Sequence, residues 1–121
     1  MTNQLPEMRN IVLEKTTSGS GSFAPVGSTN PYLIPSKGIT QVVISWHARH
    51  DLIVVWGPNG ATTTGSYSIK TFEGKAGAQT AVVEIVKKSD LGAFWITTSN
   101  LSSGDVGKSV GVRMITFPLT D

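Results

Sequence analysis

Two histidines and an aspartate stand close together in a short polar link, His47-Ala48-Arg49-His50-Asp51. Imidazole and carboxylate groups are ligands for divalent metals, so His47, His50 and Asp51 are the candidate metal ligands of the sequence. The link supplies no fourth ligand, and Arg49 adds an unfavourable positive charge at its centre. We therefore predict neither a metal nor another cofactor. We interpret the link as the polar tip of a hairpin, in which Asp51 bonds to turn amides.

Tryptophans flank this link, because Trp46 ends the apolar run before it and Trp56 ends the run after it. Sugars stack on exposed tryptophan rings, and Asp or Arg side chains bond sugar hydroxyls. Trp46, Arg49, Asp51 and Trp56 are therefore the candidate ligand-binding residues of a lectin-like module that recognises surface glycans. The competing interpretation, which we favour, is that each tryptophan ends its strand because its large ring caps the core.

The remaining sequence patterns do not predict an enzyme. No serine stands in the pattern of a nucleophile elbow, and so nucleophilic catalysis is not expected. Residues 104–109, GDVGKS, end like a phosphate-binding loop, but Ser102 stands where that loop requires its first glycine. The residues that follow alternate as a strand, whereas a phosphate site needs a helix there. We predict that the protein has no catalytic residues.

The elements that would position these side chains are strands. Over residues 39–46, Val42, Ile44 and Trp46 share one face, and residues 52–56 form an apolar run. The shortness of the link between the two runs predicts an antiparallel hairpin. A turn at Pro58-Asn59-Gly60 and a further run ending at Phe72 extend this hairpin into a predicted three-stranded meander.

Further runs complete an all-β pattern. Alternation predicts strands at residues 93–99 and 109–117, while residues 79–88 fit either a helix or a strand. Three valines and an isoleucine favour the strand. The chain thus predicts an all-β protein of seven to eight strands, with a single antiparallel β-sandwich or jelly-roll-like domain at residues 31–121. Residues 1–30, rich in Ser and Gly, are predicted to be an extended N-terminal arm with a first strand at 9–16.

Length, charge and cysteine content narrow the classes of partner. The 121 residues fit one domain, and the absence of cysteine excludes disulfides and thiolate metal sites. Ten Lys and Arg against eight Asp and Glu are spread along the chain, so a nucleic-acid site is not expected. The first ten residues have no apolar signal segment and no run reaches transmembrane length, which predicts synthesis in the cytoplasm and no membrane partner.

The layout of the chain resembles that of small bacteriophage virion proteins, such as capsid decoration or cement proteins and small head or tail subunits. The resemblance rests on the Thr/Ser/Gly arm before Phe23 and on the runs GITQVVISW, SYSIKTF, GAFWITT and VRMITF. It implies a non-enzymatic subunit located in the virion and made in the host cytoplasm. It also implies a homo-oligomer, with a trimer favoured, that contacts other virion proteins. It assigns no functional residue.

Overall fold

The computed structural model describes residues 5–47, 50–57, 68–75, 77–88 and 92–118. Nine strands run through these ranges: β1 (Glu7–Glu14), β2 (Gly19–Ser22), β3 (Ala24–Pro25), β4 (Gly38–His47), β5 (Leu52–Trp56), β6 (Ser68–Phe72), β7 (Ala78–Lys87), β8 (Phe94–Leu101) and β9 (Val110–Pro118). A 3₁₀ turn at Ser103–Asp105 precedes β9. No helix in the described ranges is long and apolar enough to cross a membrane.

The strands form two antiparallel sheets that make a sandwich. The five-stranded sheet has the order β3-β1-β9-β4-β7, and the four-stranded sheet has the order β2-β8-β5-β6. The pairs β5·β6, β4·β7, β2·β8 and β1·β9 nest inside one another, as they would in one long hairpin that is rolled up. This arrangement is a jelly roll, with a short extra strand at β3. The predicted fold class is confirmed.

The core lies between the sheets and follows from the alternation of side chains along each strand. In β7, Ala81, Val83 and Ile85 are buried while the residues between them are exposed. The segment that fits either a helix or a strand by sequence is therefore a strand. The largest fully buried side chains come from both sheets and from the connection after β2: Leu13, Phe23, Ile44, Leu52, Ile85, Phe94, Ile96, Leu101 and Met114.

The predicted hairpin between residues 39–46 and 52–56 is wrong. β4 belongs to the five-stranded sheet and β5 to the four-stranded sheet, where β5 pairs with β6 and β8. Four connecting residues can span about 13 Å, which is enough to cross the roughly 10 Å between packed sheets. A short link therefore fits a change of sheet as well as a hairpin. The turn predicted at residues 58–60 lies outside the described residues.

The structure also corrects the boundary of the predicted arm. β1 pairs along most of its length with β9, β2 pairs with β8, and β3 pairs with β1. Three strands within residues 7–25 therefore belong to the sandwich, and Leu13 and Phe23 belong to its core. The Ser-Gly stretch has few side chains to signal a strand, but its backbone is held along β8, and the Phe23 amide donates to the Ile96 carbonyl.

Candidate functional site

His50 lies buried beneath the end of the sandwich where β4 passes to β5. Its side chain is 5% exposed and stacks on the Phe23 ring at 5.6 Å between centroids. Neither imidazole nitrogen has a hydrogen-bond partner among the residues that the structure describes. Burial lowers the pKa of His50 below its ordinary 6.5; the nearby Asp105 and Asp51 carboxylates oppose this effect, and Lys108 adds to it. A buried, neutral imidazole of this kind stabilises the core by packing.

Asp51 fastens the same end of the sandwich to β8. The Thr98 hydroxyl and the Ser99 amide donate to Oδ1 at 3.1 and 3.2 Å, and the Ser99 hydroxyl donates to Oδ2 at 2.8 Å. Burial raises the pKa of Asp51, but these hydrogen bonds outweigh it and hold the pKa below its ordinary 3.8. Both carboxylate oxygens therefore accept hydrogen bonds from donors on β8. The sequence predicts turn amides as donors, and two residues of that turn, Ala48 and Arg49, lie outside the described residues.

The structure describes the side chains of two of the three candidate metal ligands, His50 and Asp51. His47 ends β4, where its backbone pairs with Ala78, and its side chain lies outside the described residues. His50 is buried, and Asp51 bonds to β8. Among the described residues, no group of three or more His, Cys, Asp or Glu side chains could hold a metal ion.

Among the predicted sugar-binding residues that the structure describes, the two tryptophans are not brought together. Trp46 is 4% exposed and packs in the core against Phe72, with ring centroids 6.4 Å apart. Trp56 is half-buried against the same core, but it lies four residues along β5 from Leu52, the residue that pairs with Phe72. That spacing places the two tryptophans about 13 Å apart along the strand direction, near opposite ends of the sandwich.

The predicted sugar site also includes Arg49, and the competing interpretation packs both tryptophans on the core. Arg49 lies outside the described residues. The interpretation that each tryptophan packs on the core agrees with the burial of Trp46 and the packing of Trp56. The more exposed aromatic pair is Tyr32 with Trp95, whose rings meet edge to face at 5.5 Å on the four-stranded sheet.

A cleft of 370 Å³ opens between β6 and β7, which stand at the ends of their sheets' strand orders. We call it the edge cleft. Its lining combines two aromatic rings with polar and charged side chains: Trp46, Thr71, Phe72, Glu73, Lys75, Gln79, Thr80 and Ala81. The indole Nε1 of Trp46 is buried and has no hydrogen-bond partner among the described residues. Of the predicted ligand-binding residues that the structure describes, the edge cleft contains Trp46 alone.

The lining of the edge cleft is not visible in the sequence pattern. Most of its polar residues lie in or beside the loop between β6 and β7, which reads as an ordinary connection. The cleft forms because that loop crosses from one sheet to the other. The feature of the sequence that could have indicated the cleft is a pair of opposite charges, Glu73 and Lys75, just after the aromatic residue that ends β6.

The outer surface of the five-stranded sheet carries a second candidate site. Apolar side chains there face away from the core and stand opposite one another on paired strands, and we call them the outer apolar face: Met8, Ile39, Val43, Val82, Val86, Ile115 and Phe117. Met8, Val82 and Phe117 are 60%, 52% and 45% exposed. Glu84 and Arg113 add one charge of each sign to the same surface.

A depression of 340 Å³ adjoins the outer apolar face at Gly111, which has no side chain to fill it. Val12, Val43 and Arg113 are among the residues around it. A Cβ atom at Gly111 would meet nothing closer than the Ser45 carbonyl oxygen at 3.7 Å, an ordinary contact. The backbone therefore does not require glycine there, and the depression is available to a side chain of a partner.

No protein-family model, no curated protein and no solved structure matches the chain.

Proposed function

We propose that this chain is a non-enzymatic structural subunit of a viral particle, such as a capsid decoration or cement protein or a small head or tail protein. The outer apolar face carries this proposal. An antiparallel sheet that faces water normally alternates polar residues outward, whereas Met8, Val82 and Phe117 expose large apolar side chains here. A contiguous apolar patch on a soluble domain is typical of a surface that contacts another protein.

The fold is compatible with this role. Jelly rolls build subunits of viral capsids, and they also form lectin domains. A fold that serves several functions does not assign one of them, so the proposal depends on the surface. The resemblance to small virion proteins and the outer apolar face both favour assembly.

We propose a second copy of the chain as the first partner, with other virion proteins as further partners. Glu84 and Arg113 give the outer face both charge signs, so it does not repel a copy of itself. A cyclic trimer requires two different patches that meet head to tail. The depression at Gly111 and the protruding side chains of Val82 and Phe117 are two such patches.

The oligomeric state of the purified chain tests this contact. We expect an oligomer in sedimentation velocity, and we expect Val82→Asp and Gly111→Val to shift it toward the monomer. The first variant places a charge on the apolar face, and the second fills the depression while keeping an unstrained backbone. Ile69→Asp is the matched control, because Ile69 is 65% exposed on the other sheet.

The viral part of the proposal needs a separate measurement. We expect mass spectrometry to find the chain in purified phage particles released by the host that carries its gene. We also expect Val82→Asp to reduce its amount in those particles. A chain that stays monomeric at every concentration and is absent from the particles contradicts the proposal.

A further inference from the structure

We propose that Glu84 of one copy forms an ion pair with Arg113 of a second copy when the outer apolar face assembles. This inference rests on the proposed homo-oligomer and names the two residues that set its docking position. Glu84 lies on β7 and Arg113 on β9, with β4 between these strands. Each is an exposed residue between two buried neighbours of its strand, so both side chains face the same outer surface.

Within one chain these two charges stand apart. Glu84 lies opposite Gln41 on β4. Arg113 lies opposite Val43, two residues further along β4 and on its other side. Two strand spacings and two residues separate their backbones by about 12 Å. Arg113 also turns away from β7, because its Nε donates to the Asn10 side chain on β1 at 3.2 Å.

Assembly through the outer apolar face would remove both charges from water. On β7, Glu84 stands between Val82 and Val86, which are 52% and 40% exposed. A partner that covers these apolar side chains also covers the carboxylate between them. Among the described residues, neither Glu84 nor Arg113 has an ionic partner. A buried charge without a counter-charge is strongly unfavourable, so the assembled face needs one for each, and a second copy supplies both.

The depression at Gly111 leaves room beside Arg113 for an incoming side chain. Gly111 and Arg113 both line it, together with Ser45, whose hydroxyl can donate to a carboxylate. In the described part of the chain, Arg113 uses only its Nε in a hydrogen bond to oxygen. Its terminal amino groups are therefore available, and a guanidinium binds a carboxylate through two parallel hydrogen bonds. This geometry suits Glu84 of the second copy.

Other charges of the five-stranded sheet do not compete for this position. Its described strands carry further charged residues that stand at strand ends or turn toward the core: Glu7, Arg9, Glu14 and Lys87. Glu84 and Arg113 are the charges in the middle of the outer surface of these strands. Like charges repel and opposite charges attract across an interface, so the two residues favour one docking position over others.

Reversal of the two charges tests the pair in sedimentation velocity of the full chain. We expect Glu84→Arg alone and Arg113→Glu alone to raise the dissociation constant of the oligomer at least about tenfold, because each brings like charges together. The double variant restores an opposite pair and is expected to recover most of the loss. Such recovery also excludes misfolding as the cause of the loss.

Matched controls reverse charges on the other sheet. Glu73→Arg and Lys70→Glu change the net charge by the same amounts as the two test variants. Lys70 lies on β6 and Glu73 follows that strand, away from the outer apolar face. Both controls are expected to assemble like the native chain.

The outcomes separate the ion pair from the assembly itself. A native chain that is monomeric at every concentration contradicts the proposed oligomer, and the ion pair with it. A native oligomer overturns the ion pair alone if the single variants assemble like the controls. The same conclusion follows if the double variant associates as weakly as the single variants.

Discussion

At the scale of single residues, His50 is the side chain whose chemistry and surroundings conflict most. Its ring stacks on Phe23, yet its two nitrogens have no partner in the described part of the chain. Buried polar atoms without partners cost free energy, and a charged imidazole in the same place would cost more. His50 therefore stabilises the fold only while it is neutral.

We predict that the stability of the protein falls between pH 7 and pH 5 because of His50. Its folded-state pKa is lowered, so the unfolded chain takes up a proton first as the pH falls through 6.5. The contribution of His50 to the free energy of unfolding is complete above pH 6.5. It decreases as the pH falls from there toward the folded-state pKa. His50→Leu, of similar volume, should flatten this part of the profile and add about 1 kcal/mol at pH 7.5.

Urea unfolding at both pH values measures this effect. The leucine variant keeps every other titratable group, including Asp51, Asp105 and Lys108, so the difference between the two profiles isolates His50. Parallel pH profiles for the two proteins would contradict the prediction.

Residue types alone predict part of this chemistry. A polar link with an aspartate predicts that the carboxylate accepts hydrogen bonds, and Asp51 does so. The identity of its donors on β8 depends on which strand crosses beside the link, and no local pattern contains that information. The burial of His50 has the same origin, because Phe23 reaches it from the distant connection after β2.

At the scale of elements, β4 and β9 are joined by a buried polar pair as well as by their backbones. Thr40 and Thr116 stand directly opposite each other, and their hydroxyl oxygens lie 2.8 Å apart within the core. Cross-strand threonine pairs contribute to sheet stability through this bond. The pair helps to fix the register of two central strands.

We predict that Thr40→Val and Thr116→Val each lower the free energy of unfolding by about 1–2 kcal/mol. Each replacement leaves the opposite hydroxyl buried without its partner. The double variant should lose clearly less than the sum, since it removes both hydroxyls together. A double-mutant cycle in urea measures the coupling, and strictly additive losses would show that the bond contributes nothing.

The start of β4 depends on a glycine. Gly38 has φ of +141°, and a Cβ atom there would lie 2.3 Å from the Phe117 carbonyl oxygen. We predict that Gly38→Ala costs at least about 2 kcal/mol in thermal or urea unfolding. Gly104→Ala is the matched control, with no neighbour within 4 Å of the added atom, and it should change stability by less than about 0.5 kcal/mol. Equal effects would argue against strain at Gly38.

The sequence predicts where strands lie better than which strands pair. Alternation has a period of two in any strand, so β4, β7 and β9 are found where the pattern places them. Pairing depends on the path of the connections, and the apolar runs of β4 and β5 fit one sheet or two equally well. The sequence pattern does not predict β2, because a Gly-Ser-Gly-Ser strand is held by its backbone and shows no alternation of large side chains.

At the scale of the whole molecule, the jelly roll separates two kinds of surface. Its closed core uses the inner faces of both sheets, while the five-stranded sheet presents the outer apolar face and the sheet edges enclose the edge cleft. A rigid sandwich holds both surfaces in fixed positions. The proposed subunit would thus associate through one surface and keep the other accessible.

If the outer apolar face joins copies of the chain, stability will depend on protein concentration. Association with the folded state alone raises the midpoint of unfolding by mass action. We predict that the melting temperature rises with concentration for the native sequence and not for Val82→Asp. Differential scanning calorimetry over a range of concentrations provides the measurement, and a constant melting temperature for the native sequence would contradict it.

The position of β9 has a consequence for how the chain is made. Val110–Pro118 leaves the ribosome after the other eight described strands, yet it lies between β1 and β4 in the middle of the five-stranded sheet. Until it emerges, β1 has only the two residues of β3 as a neighbour in that sheet, and one side of β4 is unpaired. The nascent chain therefore exposes apolar strands with open edges until β9 has left the ribosome. These edges need protection from aggregation until β9 pairs with β1 and β4.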